Sequence, residues 1–142
     1  MRFVVDASVG AKWASPQLIE PLADRANQFL LDYTAGAVHI VVPDLFWLEI
    51  GSVLWKASRR GTITNAQAQL GIEVMIARGF PTLPAITVLP EALKIAINFG
   101  RTVYDSVYVA LAVETGSQLL TADERLVNAI GRQFPVRWLG SL

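Results

Sequence analysis

The 142 residues contain no cysteine and a single histidine, His39. Without thiols there is no disulfide framework, no thiolate zinc site and no cysteine nucleophile. One histidine excludes a multi-histidine metal centre within one chain. No Gly-x-Ser-x-Gly elbow accompanies it, which argues against a serine hydrolase; as part of an apolar run, His39 reads as structural. Charge is scarce and balanced. Only 17% of residues are charged, with 12 Lys and Arg against 12 Asp and Glu, so the totals do not describe a strongly basic nucleic-acid binder. No apolar run reaches the roughly 18 residues of a membrane span; the longest, residues 45–55, carries Glu49 in its middle. The N-terminal apolar stretch is too brief for a signal peptide. These absences predict a cytoplasmic protein with no membrane association. Neither Gly-x-Gly-x-x-Gly nor Gly-x-x-x-x-Gly-Lys occurs, so neither common nucleotide-binding loop is present. A haloacid-dehalogenase-like phosphatase needs a second Asp two residues after its first, where this chain has Ser8.

What the chain has instead is apolar substance, 53% of its residues, with no repeat, low-complexity stretch or linker dividing it. One domain over residues 1–142 is expected. Short β-branched runs alternate with helical patterns. Strands are predicted at residues 3–5, 38–42, 85–89, 118–121 and 136–139. Helices are predicted at 8–13, 22–33, 44–60, 64–78, 90–100, 103–115 and 123–131, with Pro43, Gly61, Gly79, Gly100 and Gly116 as punctuation. Strands that are apolar throughout and alternate with helices imply a buried parallel sheet in a three-layer α/β/α sandwich. The helix at 104–112 is apolar nearly all round, which suggests a central position or a subunit interface. Open sheets of this kind bind ligands beyond the carboxyl ends of their strands.

Acids stand at those ends. Asp6 follows the first strand and Asp123 the fourth, while Asp105 opens the apolar helix and Glu49 lies in the most apolar stretch. Each has a plain alternative: Asp6 as a turn or N-cap, Asp105 in a capping box with Thr102, Thr121 and Glu124 as another box, Glu49 paired with a cation. Converging, they repel. Two unit charges at ~4 Å and an effective dielectric of ~20 cost about 4 kcal/mol, so a cation would have to neutralise them. Oxygen ligands alone select a hard ion such as Mg²⁺ or Mn²⁺, which lowers the pKa of bound water and clamps phosphodiester oxygens.

The strings Phe3-Val4-Val5-Asp6-Ala7-Ser8-Val9, the helical Glu49, Tyr104-Asp105-Ser106-Val107-Tyr108-Val109-Ala110-Leu111-Ala112 and Leu120-Thr121-Ala122-Asp123-Glu124-Arg125-Leu126 resemble, in this order and across essentially the whole chain, the PIN-domain nucleases. In size the chain is similar to the VapC-type toxins of toxin–antitoxin pairs. The resemblance implies a five-stranded parallel sheet of order 3-2-1-4-5. It implies an Mg²⁺- or Mn²⁺-dependent endoribonuclease leaving 5′-phosphate and 3′-hydroxyl ends, and a homodimer neutralised by a small VapB-like antitoxin. It implies an acidic metal site of Asp6, Glu49, Asp105 and Asp123, supported by the Ser8 and Thr121 hydroxyls. Lys12 and Arg101, close in sequence to two of the acids, are candidate phosphate contacts. Lys56, Arg59 and Arg60 form a basic cluster that a helix C-terminus explains equally well. Trp13, Trp47, Trp55 and the helix at 104–112 are candidates for a dimer face, although core packing is the commoner fate of such residues. The competing readings are a PIN-like domain that binds a partner without cleaving and a DNA-directed nuclease.

Overall fold

The computed structural model describes all residues, 1–142. In chain order the elements are β1 (Arg2–Val5), α1 (Ala7–Ala14), α2 (Ala23–Thr34), β2 (His39–Pro43), α3 (Leu45–Arg59), α4 (Asn65–Ala77), β3 (Thr82–Leu83), a 3₁₀ turn (Ala85–Thr87), α5 (Leu89–Phe99), α6 (Val103–Glu114), β4 (Gln118–Thr121), α7 (Glu124–Ile130), β5 (Val136–Trp138) and a closing 3₁₀ turn (Leu139–Ser141). The five strands form one parallel sheet of order β3-β2-β1-β4-β5.

The continuous apolar runs are buried as expected of a sheet covered on both faces. Phe3, Val4 and Val5 of β1, Ile40, Val41 and Val42 of β2, and Leu119 and Leu120 of β4 are all in the core. Helix α6 takes the central place. Every residue from Ser106 to Ala112 is buried, and the helix packs on α5 and on strands β1, β2 and β4. An all-round apolar helix has no face for water, so burial in the sandwich accounts for its composition. The core likewise claims Trp13, whose indole N–H donates to the Ala26 carbonyl at 2.8 Å. Trp47 is half-buried and donates to Thr82; Trp55 is exposed.

The third strand corrects the sequence reading. Residues 85–89 are not a strand: Ala85–Thr87 form the 3₁₀ turn and Leu89 opens α5, while β3 is the two-residue Thr82–Leu83. Pro84 has no N–H for a ladder and ends the strand. The Asp44 carboxylate then accepts from the Ala85 amide at 3.0 Å and turns the chain. β-branched Ile86, Thr87 and Val88 mimic a strand in composition but have no sheet partner. His39 lies exposed at the start of β2, opposite Arg2, at the edge of the sheet away from the acids.

Helices α1 and α3 approach closely because residue 10 is glycine. A Cβ there would stand 2.6 Å from the Phe46 ring and 2.8 Å from Ile50 Cδ1, and both side chains are fully buried. Gly10→Ala is expected to destabilise the fold by about 1–3 kcal/mol. Gly51→Ala, where a Cβ meets nothing within 4 Å in mid-helix, is expected to stabilise it by about 0.5–1 kcal/mol. Urea titration of both variants checks the opposite signs.

Candidate active site

The order β3-β2-β1-β4-β5 reverses direction between β1 and β4, and a crevice opens beyond the carboxyl ends of the strands at such a point. Asp6 is the first residue past β1, and its amide donates to the Leu120 carbonyl of β4 at 3.3 Å. Its side chain is the N-cap of α1: Oδ1 accepts from the Ser8 and Val9 amides and, at 2.5 Å, from the Ser8 hydroxyl. The cap reading of Asp6 thus holds, and the same residue lies at the strand ends. Ser8 Oγ also accepts from the Ala122 amide at 2.9 Å and lies 3.3 Å from Thr121 Oγ1, which accepts from the Asp123 amide. These hydroxyls therefore tie the loop after β1 to the loop after β4.

Asp123 is the N-cap of α7, accepting from the Arg125 amide. It takes the capping place that the sequence reading gave to Thr121, because the strand runs on through Thr121. Asp105 lies in the first turn of α6, where the Thr102 hydroxyl accepts from its amide at 3.0 Å. Only that half of the capping box is made, so the Asp105 carboxylate is not consumed by the helix. Glu49 projects from α3, half-buried. It meets no Lys or Arg; the Tyr108 hydroxyl donates to its Oε1 at 2.6 Å. Sequence reasoning missed Tyr108. The signal was present: a hydroxyl at i+3 from Asp105, within the most apolar stretch of the helix.

The acids feel one another. Burial lifts the Asp6 carboxyl from the usual 3.8 to about 6, with the Asp105 charge adding to the rise and the Ser8, Thr121 and Val9 hydrogen bonds opposing it. Burial also raises Glu49, against its Tyr108 hydrogen bond and with a further push from Asp105. Burial and the charge of Asp123 raise Asp105, opposed by Thr102 and by Arg101. Desolvation and the neighbouring Glu49 carboxylate raise Tyr108 strongly, so it remains a donor. The donor set is thus oxygen only and short of positive charge, which is what a hard divalent ion complements. The side chains as placed do not group three or more potential ligands at coordinating distance. Ser8 and Val9 engage Oδ1 of Asp6 and Tyr108 engages Oε1 of Glu49, which leaves the second oxygen of each carboxylate outside these hydrogen bonds.

A groove of about 530 Å³ passes the site, lined by Ser8, Glu49 and Asp123 and flanked by Lys12, Ser52 and Lys56. Lys12 is nearly buried and lies 3.6 Å from the Glu20 carboxylate. Arg101 sits beside Asp105 and donates from Nε to the Gly100 carbonyl.

Comparison with known proteins agrees with this architecture. A family model described as PIN domain matches residues 3–131. A protein of Pyrobaculum aerophilum named Ribonuclease VapC3 is 34% identical over 130 residues, covering 90% of this chain and 94% of its own. Among solved structures, VapBC2 from Rickettsia felis, bound to a DNA fragment from its promoter, has a TM-score of 0.67 at 11% identity, covering 97% of this chain and 98% of the other. VapC20 of Mycobacterium tuberculosis, described as a sarcin–ricin loop cleaving toxin, has a TM-score of 0.61 at 11% identity, covering 84% and 87%. At that identity the two structures speak for the fold.

Between pH 3.8 and about 6 the folded chain keeps a proton on Asp6 that the unfolded chain has released. Metal-free stability therefore falls as pH rises through that window and stays low above it, by up to about 3 kcal/mol. Asn caps a helix as well as Asp does, so Asp6→Asn is expected to raise the metal-free melting temperature at pH 7. That gain should vanish near pH 4, and a gain independent of pH would contradict the assignment. Tyr108→Phe removes only the donor to Glu49. It is expected to cost about 1 kcal/mol and to move the Glu49 carboxyl titration, followed by carbon NMR, further upward.

Proposed function

This chain belongs to the PIN-domain family, and from that premise we propose that it is a divalent-metal-dependent endoribonuclease and the toxin of a toxin–antitoxin pair. The observation that carries the reading is the gathering of Asp6, Glu49, Asp105 and Asp123 around the β1/β4 switch point with little compensating charge: only the exposed Arg125, 3.8 Å from Asp123, and Arg101 beside Asp105 oppose it. Such an arrangement costs stability, and a pure scaffold has no use for it. Asp6, Asp105 and Asp123 are the residues that would hold Mg²⁺ or Mn²⁺, with Glu49 as a further ligand or beside it. The ion, when bound, lowers the pKa of water and neutralises the phosphodiester oxygens.

The residues themselves do the rest. Ser8 and Thr121 keep the two acidic loops in register. Tyr108 fixes the Glu49 carboxylate, whose raised pKa suits it to take the proton of an attacking water. The new P–O bond forms in line as the 3′-oxygen leaves and is protonated, giving a 5′-phosphate and a 3′-hydroxyl. Arg101, whose charge acts on Asp105, is the cation we assign to the phosphate being cut. The ribonuclease relative supports RNA as substrate, and the VapBC neighbour supports a small antitoxin as partner. No helix is long and apolar enough to cross a membrane, which fits the cytoplasmic setting that such a pair and its RNA require. For the homodimer, the exposed row Leu89, Leu93 and Ile97 on α5 offers a more suitable face than α6.

An internally labelled oligoribonucleotide tests the activity. Cleavage is expected with Mg²⁺ or Mn²⁺ and not with EDTA. Asp105→Asn should lower the rate by about 100-fold or more, the size of losing one group that stabilises transition-state charge. An equally labelled DNA strand should remain intact. Tight binding without cleavage in either ion would instead favour a non-cleaving partner-binding domain, and full activity in Asp105→Asn would remove that residue from the site.

A further inference from the structure

Helix α3 brings more than Glu49 to the acidic groove. Glu49, Ser52 and Lys56 follow one another at spacings of three and four, so they share one helix face, and all three line the groove. Two cations line it, Lys12 and Lys56. Lys12 is already neutralised: its side chain is only 5% exposed and its ammonium is paired with Glu20. Lys56 is exposed and its ammonium enters no ion pair or hydrogen bond. The other cations at this end of α3 are disposed differently. Arg59 lies over the Trp55 ring at 5.2 Å, and Arg60 is the C-cap; neither lines the groove.

Resting on the ribonuclease reading, we propose that Lys56, with Ser52 one turn before it, holds a phosphate of the RNA strand flanking the one that is cut. Seven residues of helix separate Glu49 from Lys56 by about 10.5 Å along the axis, too far for the ammonium to serve the reacting phosphate. Its contribution is therefore to binding and register, as phosphate contacts position a strand without reading its sequence. An otherwise acidic groove also needs one uncommitted cation where the polyanion leaves the metal site, and Lys56 is the one so placed.

The test uses the full chain and a single-stranded oligoribonucleotide long enough to extend past the cut on both sides. Binding is measured by fluorescence anisotropy over a range of salt with Ca²⁺ present, and turnover is measured with Mn²⁺. Lys56→Ala is expected to raise KM about three- to tenfold with kcat within twofold. It should also flatten the slope of log affinity against log salt by about 0.7, the value for one lost phosphate contact on a single strand. Lys56→Arg should restore both. Wild-type turnover with KM and salt slope unchanged in Lys56→Ala would overturn this inference and leave the nuclease reading standing. A wild-type chain that neither binds nor cuts RNA would overturn the nuclease reading and this inference with it. A fall in kcat with KM unchanged would place Lys56 at the reacting phosphate and overturn the flanking assignment.

Discussion

A carboxylate at the end of a buried central strand has one polar outlet, the crevice where the sheet changes direction. Asp6 is in that position. It follows three core residues of β1, is itself 7% exposed, and faces a neighbouring strand whose loop brings Asp123. Its ionisation is opposed chiefly by burial, and the structure answers with local hydrogen bonds: two amides of α1 and the Ser8 hydroxyl. Those bonds make Asp6 the N-cap of α1 and so fix where that helix starts. Through Ser8 and Thr121 they also fix where the loop after β4 lies. One residue thus couples helix start, strand-end geometry and the charge of the crevice.

The remaining acids arrive on helices, and the way each helix is anchored decides what its acid can do. In α6 the Thr102 hydroxyl caps the Asp105 amide, and the helix is then immobilised by burial of the seven residues that follow. Asp105 is therefore a rigid charge at the mouth of the crevice, and its field adds to the rise that burial produces in both Asp6 and Glu49. Glu49 comes from α3, whose buried side carries Phe46, Ile50, Leu54 and Ala57. The same α6 supplies Tyr108 to hold it. Two helices, each fixed by its own packing on the sheet and its neighbours, meet through this hydrogen bond and present an acid and the hydroxyl that orients another acid, so core packing sets the site geometry.

Much of this is legible in the sequence, for stated reasons. Burial of a parallel sheet leaves unbroken apolar runs, so β1, β2 and β4 show themselves, and glycines and prolines mark the ends of the long helices. The acids are visible because a carboxylate next to Val5 or within the 45–55 run contradicts its surroundings. What is not legible depends on tertiary partners. Residues 85–89 have strand composition, yet Pro84 and the Asp44 side chain turn them into a 3₁₀ segment, and the edge strand shrinks to Thr82–Leu83. Tyr108 reads as one more apolar position of α6 until α3 is placed opposite it. Lys12 and Lys56 cannot be ranked from sequence, because Glu20, which neutralises Lys12, is brought to it by the course of the α1–α2 loop, which carries no regular pattern.

The zero net charge takes its meaning from where the charges sit. Acids concentrated at one crevice make a local excess of negative charge that the overall balance conceals, and the groove beside it keeps one uncommitted ammonium. A site of this kind is destabilising while empty of cations, since burial and like charge both raise the cost of ionising its carboxylates. The rest of the fold has to offset that cost. The high apolar content does so: a single cluster of 32 buried hydrophobic residues runs through the sheet and both helical layers. Strong apolar burial in the core and clustered carboxylates at the strand ends are therefore one arrangement, in which stability gained from burial sustains a polar site that does not stabilise itself.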